Sequence, residues 1–221
     1  MSPKIEERKK RAAKIVSYLK KTYPVPKTEL MYQTDFQLLS AVILSAQCTD
    51  KKVNAVAEKL WEKYKTVNDF ALMNRGVFER EISSITYYRS KARYIQESAQ
   101  RVIQDFGGKV PKTEKDLITL PGVAYKTAHV VLNELFNISE GIPTDTHVRR
   151  FALRFDLVDS NALSKISKEL EALIPKKDWK YVNNGLVLYG RYVCPALPHD
   201  CSEHPLTKVW PEAKYRWPKA K

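Results

Sequence analysis

Glycine and cysteine are scarce in this sequence, and there is no long apolar run. Each shortage excludes something. Seven glycines in 221 residues rule out collagen-like and low-complexity sequence. Three cysteines are few and odd in number, so a secreted disulfide framework is not expected. The longest strongly apolar stretch, Leu38 to Ala46, is interrupted by Ser40 and Ser45 and is too short to cross a bilayer. The N-terminus, MSPKIEERKKRAAK, is charged and has no apolar signal-peptide stretch. These shortages leave a soluble cytoplasmic protein, away from membranes, as the expectation.

Positive charge is plentiful. Lys and Arg number 38 against 25 Asp and Glu, a formal net charge of +13. Such a surplus makes a field that attracts phosphates, so nucleic acid leads the candidate partners. A lysine-rich protein with no such partner would show the same count. With 43% hydrophobic and 29% charged residues, the chain is not disordered. At this size it buries roughly 70% of its surface and needs neither disulfide nor metal to hold a core.

Nearly every segment has helical periodicity. Ala12, Ile15, Val16, Leu19 and Tyr23 form one stripe, stopped by Pro24-Val-Pro26. After Asp35 the chain is apolar on all sides (Phe36, Leu38, Leu39, Val42, Ile43), as a central buried helix would be. Further helices are predicted over Val53–Tyr64, Val77–Ile85, Ala92–Phe106, Thr113–Leu120 and Tyr125–Phe136. Others open at Asp145 and lie around Ile166–Ile174 and Trp179–Val193. No run alternates long enough for a strand. The fold class is all-α, with about ten helices.

The stretch with most chemical content is Thr113-Glu-Lys-Asp-Leu-Ile-Thr-Leu-Pro-Gly-Val-Ala-Tyr-Lys-Thr-Ala128. Pro121-Gly122 breaks one short helix, and a second begins near Tyr125. A tight hairpin of this kind puts turn amides and a helix N-terminus on one edge, where they can bind a phosphate. A bare Pro-Gly also fits an ordinary helix connection. Lys126 falls in the first turn of the second helix, where the partial positive charge disfavours an ammonium and favours the neutral amine of a nucleophile. A solvated surface lysine is the plainer reading. Asp145, in Pro143-Thr-Asp-Thr-His147, is positioned as an N-cap or as a carboxylate that stabilises developing positive charge.

These segments resemble the endonuclease III family of base-excision DNA glycosylases: LPGVAYKTAHVVLNELF, PTDTHVRRFALRF, LLSAVILSAQCTD, YRSKA and LYGRYVC, in order from about Thr34 to Cys194. The resemblance implies two helical domains, a helix–hairpin–helix motif and an active site in the cleft between the domains. One domain would span residues 28–138 with six helices. The other would combine residues 1–27 with 139–221. It implies a monomeric, nucleoid-associated enzyme acting on damaged or abasic duplex DNA, with Lys126 as Schiff-base nucleophile and Asp145 as catalytic carboxylate. DNA contacts are implied for Leu120, Pro121, Gly122, Val123, Ala124, Tyr125 and Thr127 of the hairpin, and for His147. Gln47 would fill the gap left by an extruded nucleotide, and Tyr87 aligns with a wedge that is usually aliphatic. Ala124 stands where the hairpin usually has glycine. The expected activity is excision of oxidised pyrimidines followed by strand cleavage. A mismatch or alkylated-base glycosylase and a non-catalytic helix–hairpin–helix protein are the rival readings.

The C-terminal tail departs from the family. Members commonly carry Cys-x6-Cys-x2-Cys-x5-Cys, holding a [4Fe–4S] cluster, whereas the corresponding residues here are Cys194, Cys201, His204 and Trp210. Indole offers no lone pair to iron. Cys194, His199, Cys201 and His204 form an allowable zinc set, but the spacing matches no common zinc motif. The expectation is therefore a metal-free loop with no cofactor, anchored by Trp210, Tyr215 and Trp217. Lys208, Lys214, Arg216 and Lys219 would keep it basic.

Overall fold

Helix α2 (Asp35–Ser45) is apolar almost all round, and nine of its residues, Phe36 to Leu44, are buried. It packs against α3 (Asp50–Lys63), α6 (Tyr88–Phe106) and α8 (Tyr125–Phe136). Full burial of each large side chain stabilises by about 1.5–3 kcal/mol, so α2 acts as the axis of its unit. Phe36, Trp61, Tyr64, Phe70 and Phe78 form a ring cluster beside it, with centroids 5.1–6.4 Å apart. The computed structural model describes residues 3–217, and among these every regular element is helical. No helix among them is long and apolar enough to cross a membrane.

The chain divides into two compact units, Thr28–Ile138 and Met1–Lys27 with Ser139–Lys221. The first holds α2, α3, α4 (Val67–Leu72), α5 (Arg75–Glu81), α6, α7 (Glu114–Leu117) and α8. That is seven helical segments where six were expected. Helix α4 is the addition, since six residues are too few to set a period. Its signal is instead the capping box, in which Thr66 accepts from the Asp69 amide and Asp69 accepts from that of Thr66. Helix α6 ends as read, with Gly107 in the left-handed conformation.

The second unit contains α1 (Pro3–Thr22), α9 (Thr146–Arg154), α10 (Leu163–Leu173), α11 (Trp179–Tyr192) and α12 (Pro205–Val209), plus 3-10 turns over Lys176–Asp178 and Pro211–Tyr215. Its core joins Ala12, Ile15, Val16 and Leu19 of α1 to Phe151, Leu170, Leu186 and Tyr189. The tail is more ordered than a loop, because Pro205 starts α12 at a position where its missing N–H costs nothing. Two of its three aromatics dock. The Arg11 guanidinium lies 4.1 Å from the Trp210 ring, and that of Arg154 lies 3.9 Å from the Trp217 ring. Tyr215 does not dock: it is 77% exposed at the end of its turn, with the Lys214 ammonium 4.8 Å from its ring. Lys208 pairs with Glu203 and Arg216 with Asp156. Lys219 lies outside the described residues.

Candidate active site

The hairpin joins α7 to α8 through residues 118–124 and is held from both sides. Gly122 has φ +78°, and a Cβ there would stand 2.9 Å from Tyr94 Cβ, so both backbone conformation and space demand glycine. The Val123 amide donates to the Leu120 carbonyl at 3.1 Å, Ser98 Oγ donates to the Pro121 carbonyl at 2.9 Å, and Arg101 donates to the Thr119 carbonyl at 2.6 Å. Leu120 and Val123 are buried, so their side chains anchor the turn in the core and only their main chain can face a ligand. Pro121, Tyr125 and Thr127 are half-buried; Gly122, Ala124 and Lys126 are exposed. The N-cap Ala124 supplies no side-chain acceptor to α8, unlike Thr113, which accepts from the Asp116 amide at the start of α7. Such a start suits an anion.

One reinforcement was not read from the sequence. His129 is fully buried, and its Nε2 lies 2.6 Å from Glu114 Oε2, linking α8 to the first residue of α7. Its ring packs at 4.1 Å against that of Tyr125. Together these contacts fix the angle at which α8 presents Lys126.

Gln47 and Tyr87 are both exposed, and both have left-handed backbone, with φ of 53° and 58°. Non-glycine residues take this conformation at a cost of about 1–3 kcal/mol, and it clusters at functional sites. Lys91 connects them. Its ammonium is buried and donates to the carbonyls of Leu44 at 2.8 Å and Ala46 at 2.6 Å, directly before Gln47. Its backbone amide donates to the Tyr87 carbonyl. Burial pushes the Lys91 pKa down, with Cys48 opposing. The signal was present in YRSKA, as a cation one turn into α6.

Asp145 and His147 belong to the other unit. Asp145 caps α9, its Oδ1 accepting from the amides of His147 and Val148 at 2.9 Å each. The preceding strand-like segment is pinned: Ser167 Oγ donates to the Ile142 carbonyl and Asn183 to the Pro143 carbonyl, both at 2.8 Å. His147 rests on α11, where a Cβ on Gly190 would come within 2.4 Å of its Nδ1. The cap and these anchors leave the Asp145 carboxylate little rotational freedom.

The tail contains a further cluster. Arg154 is 1% exposed and donates from Nη1 to Cys194 Sγ and from Nη2 to Cys201 Sγ, each at 3.0 Å. One ligand atom from each of Cys194, His199 and His204 lies within 4.8 Å of the others. The His204 pKa is lowered by burial, then by His199 and Arg154. The family's four-thiolate cluster does not fit. Only two cysteines are here, Cys48 lies in the other unit, and Trp210, in the fourth position, is a nitrogen-protonated indole under Arg11. The expected metal-free loop nonetheless contains three converging ligand atoms.

Comparison with known proteins shows the family of the chain. A family model described as the HhH-GPD superfamily base excision DNA repair protein matches residues 40–176. The chain is 41% identical over 211 residues to endonuclease III of Synechocystis sp., covering 96% of each. It also superposes on a non-covalent endonuclease III–DNA complex with TM-score 0.86, at 36% identity over 94% of this chain and 97% of that one. A trapped endonuclease III–DNA covalent intermediate matches at TM-score 0.85, with the same identity and coverage. The chain belongs to the endonuclease III family of the HhH-GPD superfamily of base excision DNA repair proteins.

Proposed function

We propose that this chain is a bifunctional DNA glycosylase and abasic-site lyase that removes oxidised pyrimidines of the thymine glycol type from duplex DNA. The observation that carries the reading is Lys126, exposed in the first turn of α8 directly after a rigid hairpin, in a chain of this family. The relative solved as a trapped covalent complex with DNA supports it.

The chemistry needs an unstacked nucleotide, because a base within the stack cannot be reached. Extrusion costs a few kcal/mol, least for damaged bases that stack poorly. Gln47 and Tyr87, both exposed and both at left-handed backbone positions, fill the gap. The hairpin amides bind the phosphate. The Lys126 amine then gives its lone pair to C1′, the C1′–N glycosidic bond breaks, and the base leaves with that electron pair. The nitrogen now on C1′ loses its proton, the C1′–O4′ bond breaks with O4′ leaving as a hydroxyl, and the opened sugar is held as an imine that acidifies the C2′ proton. Its removal breaks the C3′–O3′ bond and expels the 3′ phosphate, and water hydrolyses the imine to free Lys126. Asp145 stabilises the positive charge developing on the sugar and receives the lysine proton. No step uses an iron–sulfur cluster.

Borohydride trapping on duplexes carrying thymine glycol, uracil or an abasic site tests this. Covalent trapping on the thymine glycol and abasic duplexes, lost in Lys126→Ala, is the expected result. Trapping that survives the substitution removes Lys126 as nucleophile, and base release without trapping makes the enzyme monofunctional.

A further inference from the structure

We propose that Cys194, His199 and His204 form a structural site for one zinc-class divalent cation, in the part of the tail where the family's cluster ligands are lost. The inference is independent of the proposed catalytic residues. It rests first on proximity: one sulfur and two imidazole nitrogens lie within 4.8 Å of one another, although the residues span eleven positions of irregular chain and α12 onset. Zinc–sulfur and zinc–nitrogen bonds of about 2.3 and 2.0–2.1 Å put ligands roughly 3.4–3.7 Å apart in a tetrahedron. Side-chain rotations of about an ångström close the set.

The second observation is independent of the first. His199 Nε2 and His204 Nδ1 are both buried, and neither has a hydrogen-bond partner. A buried polar nitrogen left unsatisfied costs about 1–3 kcal/mol, so two side by side need an explanation. The orientation of His199 supplies one. Its Nδ1 lies 2.8 Å from the Leu197 carbonyl oxygen, which accepts and so fixes the proton on Nδ1 and leaves the lone pair on Nε2. Metal-bound histidines are held in the same way by a carbonyl behind the ring.

The sulfur ligand is also positioned by its neighbours. Arg154 donates to Cys194 Sγ from one side, and its other nitrogen donates to Cys201 Sγ. These bonds hold the Cys194 sulfur in place beside the two imidazoles. A sulfur with two imidazoles selects a borderline-soft ion such as zinc over magnesium or calcium, which prefer oxygen. The site would tie the segment after α11 to the start of α12, a structural role away from the reacting sugar.

Elemental analysis of the purified protein and cobalt(II) titration of chelator-treated protein test this. About one zinc per chain is expected, with a thiolate-to-cobalt charge-transfer band on titration. Both should be lost in His199→Ala and in His204→Ala, and both kept in Cys48→Ser. Absence of zinc together with absence of the cobalt band in wild-type protein overturns the proposal, whether or not the variants fold. So does metal that survives both histidine substitutions, or iron accompanied by sulfide.

Discussion

The hairpin before α8 and the tail after α11 both stand where the family carries a motif, but they are built differently. The hairpin works through main chain: Gly122 sets the turn, Ser98 and Arg101 hold its carbonyls, and side chains such as Leu120 and Val123 are buried as anchors. The tail works through side chains, with Arg154 forking to two sulfurs and two imidazoles facing a third ligand atom. A main-chain site tolerates change in residue type provided the dihedrals survive, and Ala124 in place of glycine is such a change. A side-chain site changes its chemistry with each residue. The same sequence therefore keeps one motif and rewrites the other.

The largest effect that would test this contrast is on catalysis. Lys126→Ala should abolish strand cleavage, while lesion-duplex affinity changes by less than about threefold, since the proposed phosphate contacts use main chain and not this side chain. Asp145→Asn should cost about 10²-fold or more in turnover and little in melting temperature, because Asn also caps a helix well. Single-turnover kinetics and gel-shift titration measure the two effects separately. Near-wild-type turnover in Asp145→Asn would remove the electrostatic role.

Next in size is Arg154→Met. It leaves the Ala213 carbonyl and both sulfurs without their donor in a fully buried position. Unmatched buried groups at about 1–3 kcal/mol each suggest a loss of roughly 3 kcal/mol, or a fall of about 6–12 °C in melting temperature for a chain of this size. Arg154→Lys should recover only part of this, because an ammonium cannot reproduce the planar fork. Full recovery by lysine would show that charge, and not geometry, organises the tail.

For the hairpin, Gly122→Val adds a Cβ that meets Tyr94 at 2.9 Å and forces a β-branched residue to φ +78°. Affinity for damaged and undamaged duplex should fall together, by about tenfold, because phosphate contacts carry no sequence information. A loss confined to damaged DNA would place the glycine at the base pocket.

What was legible in the sequence follows the same division. The α2 axis, the Gly107 stop, the hairpin and the Asp145 cap come from periodicity and local turn chemistry, which act over a few residues. Lys91 reaching the Leu44 and Ala46 carbonyls, His129 reaching Glu114, and Arg154 reaching Cys194 and Cys201 span 47, 45, 15, 40 and 47 positions. No local pattern signals a partner at those separations. Tyr215 was misread for a related reason, since an aromatic in a tail has no periodicity to show which way it faces.

The smallest effect separates charge from packing in the unit that holds the tail. Arg8 is buried and forks to Asp159 at 2.8 and 2.7 Å, with Asp156 at 3.2 Å and Lys4 also on Asp159. The Arg8 hydrogen bonds, then that of Lys4, hold the Asp159 carboxyl well below its ordinary value of 3.8. A carboxylate depressed in the folded state adds stability that is fully present above its unfolded pKa. That stability drains away as pH falls from about 4 through the lower, folded value. Asp159 is 67% exposed, and solvent screening limits the contribution to about 1 kcal/mol or less. The melting temperature of Asp159→Asn should therefore lie about 1–4 °C below wild type at pH 7 in low salt. The gap should narrow as pH falls below about 4, and also on adding salt. A gap that stays constant with pH would mean that Asp159 acts as a neutral hydrogen-bond acceptor, its charge adding nothing to the hold on α1.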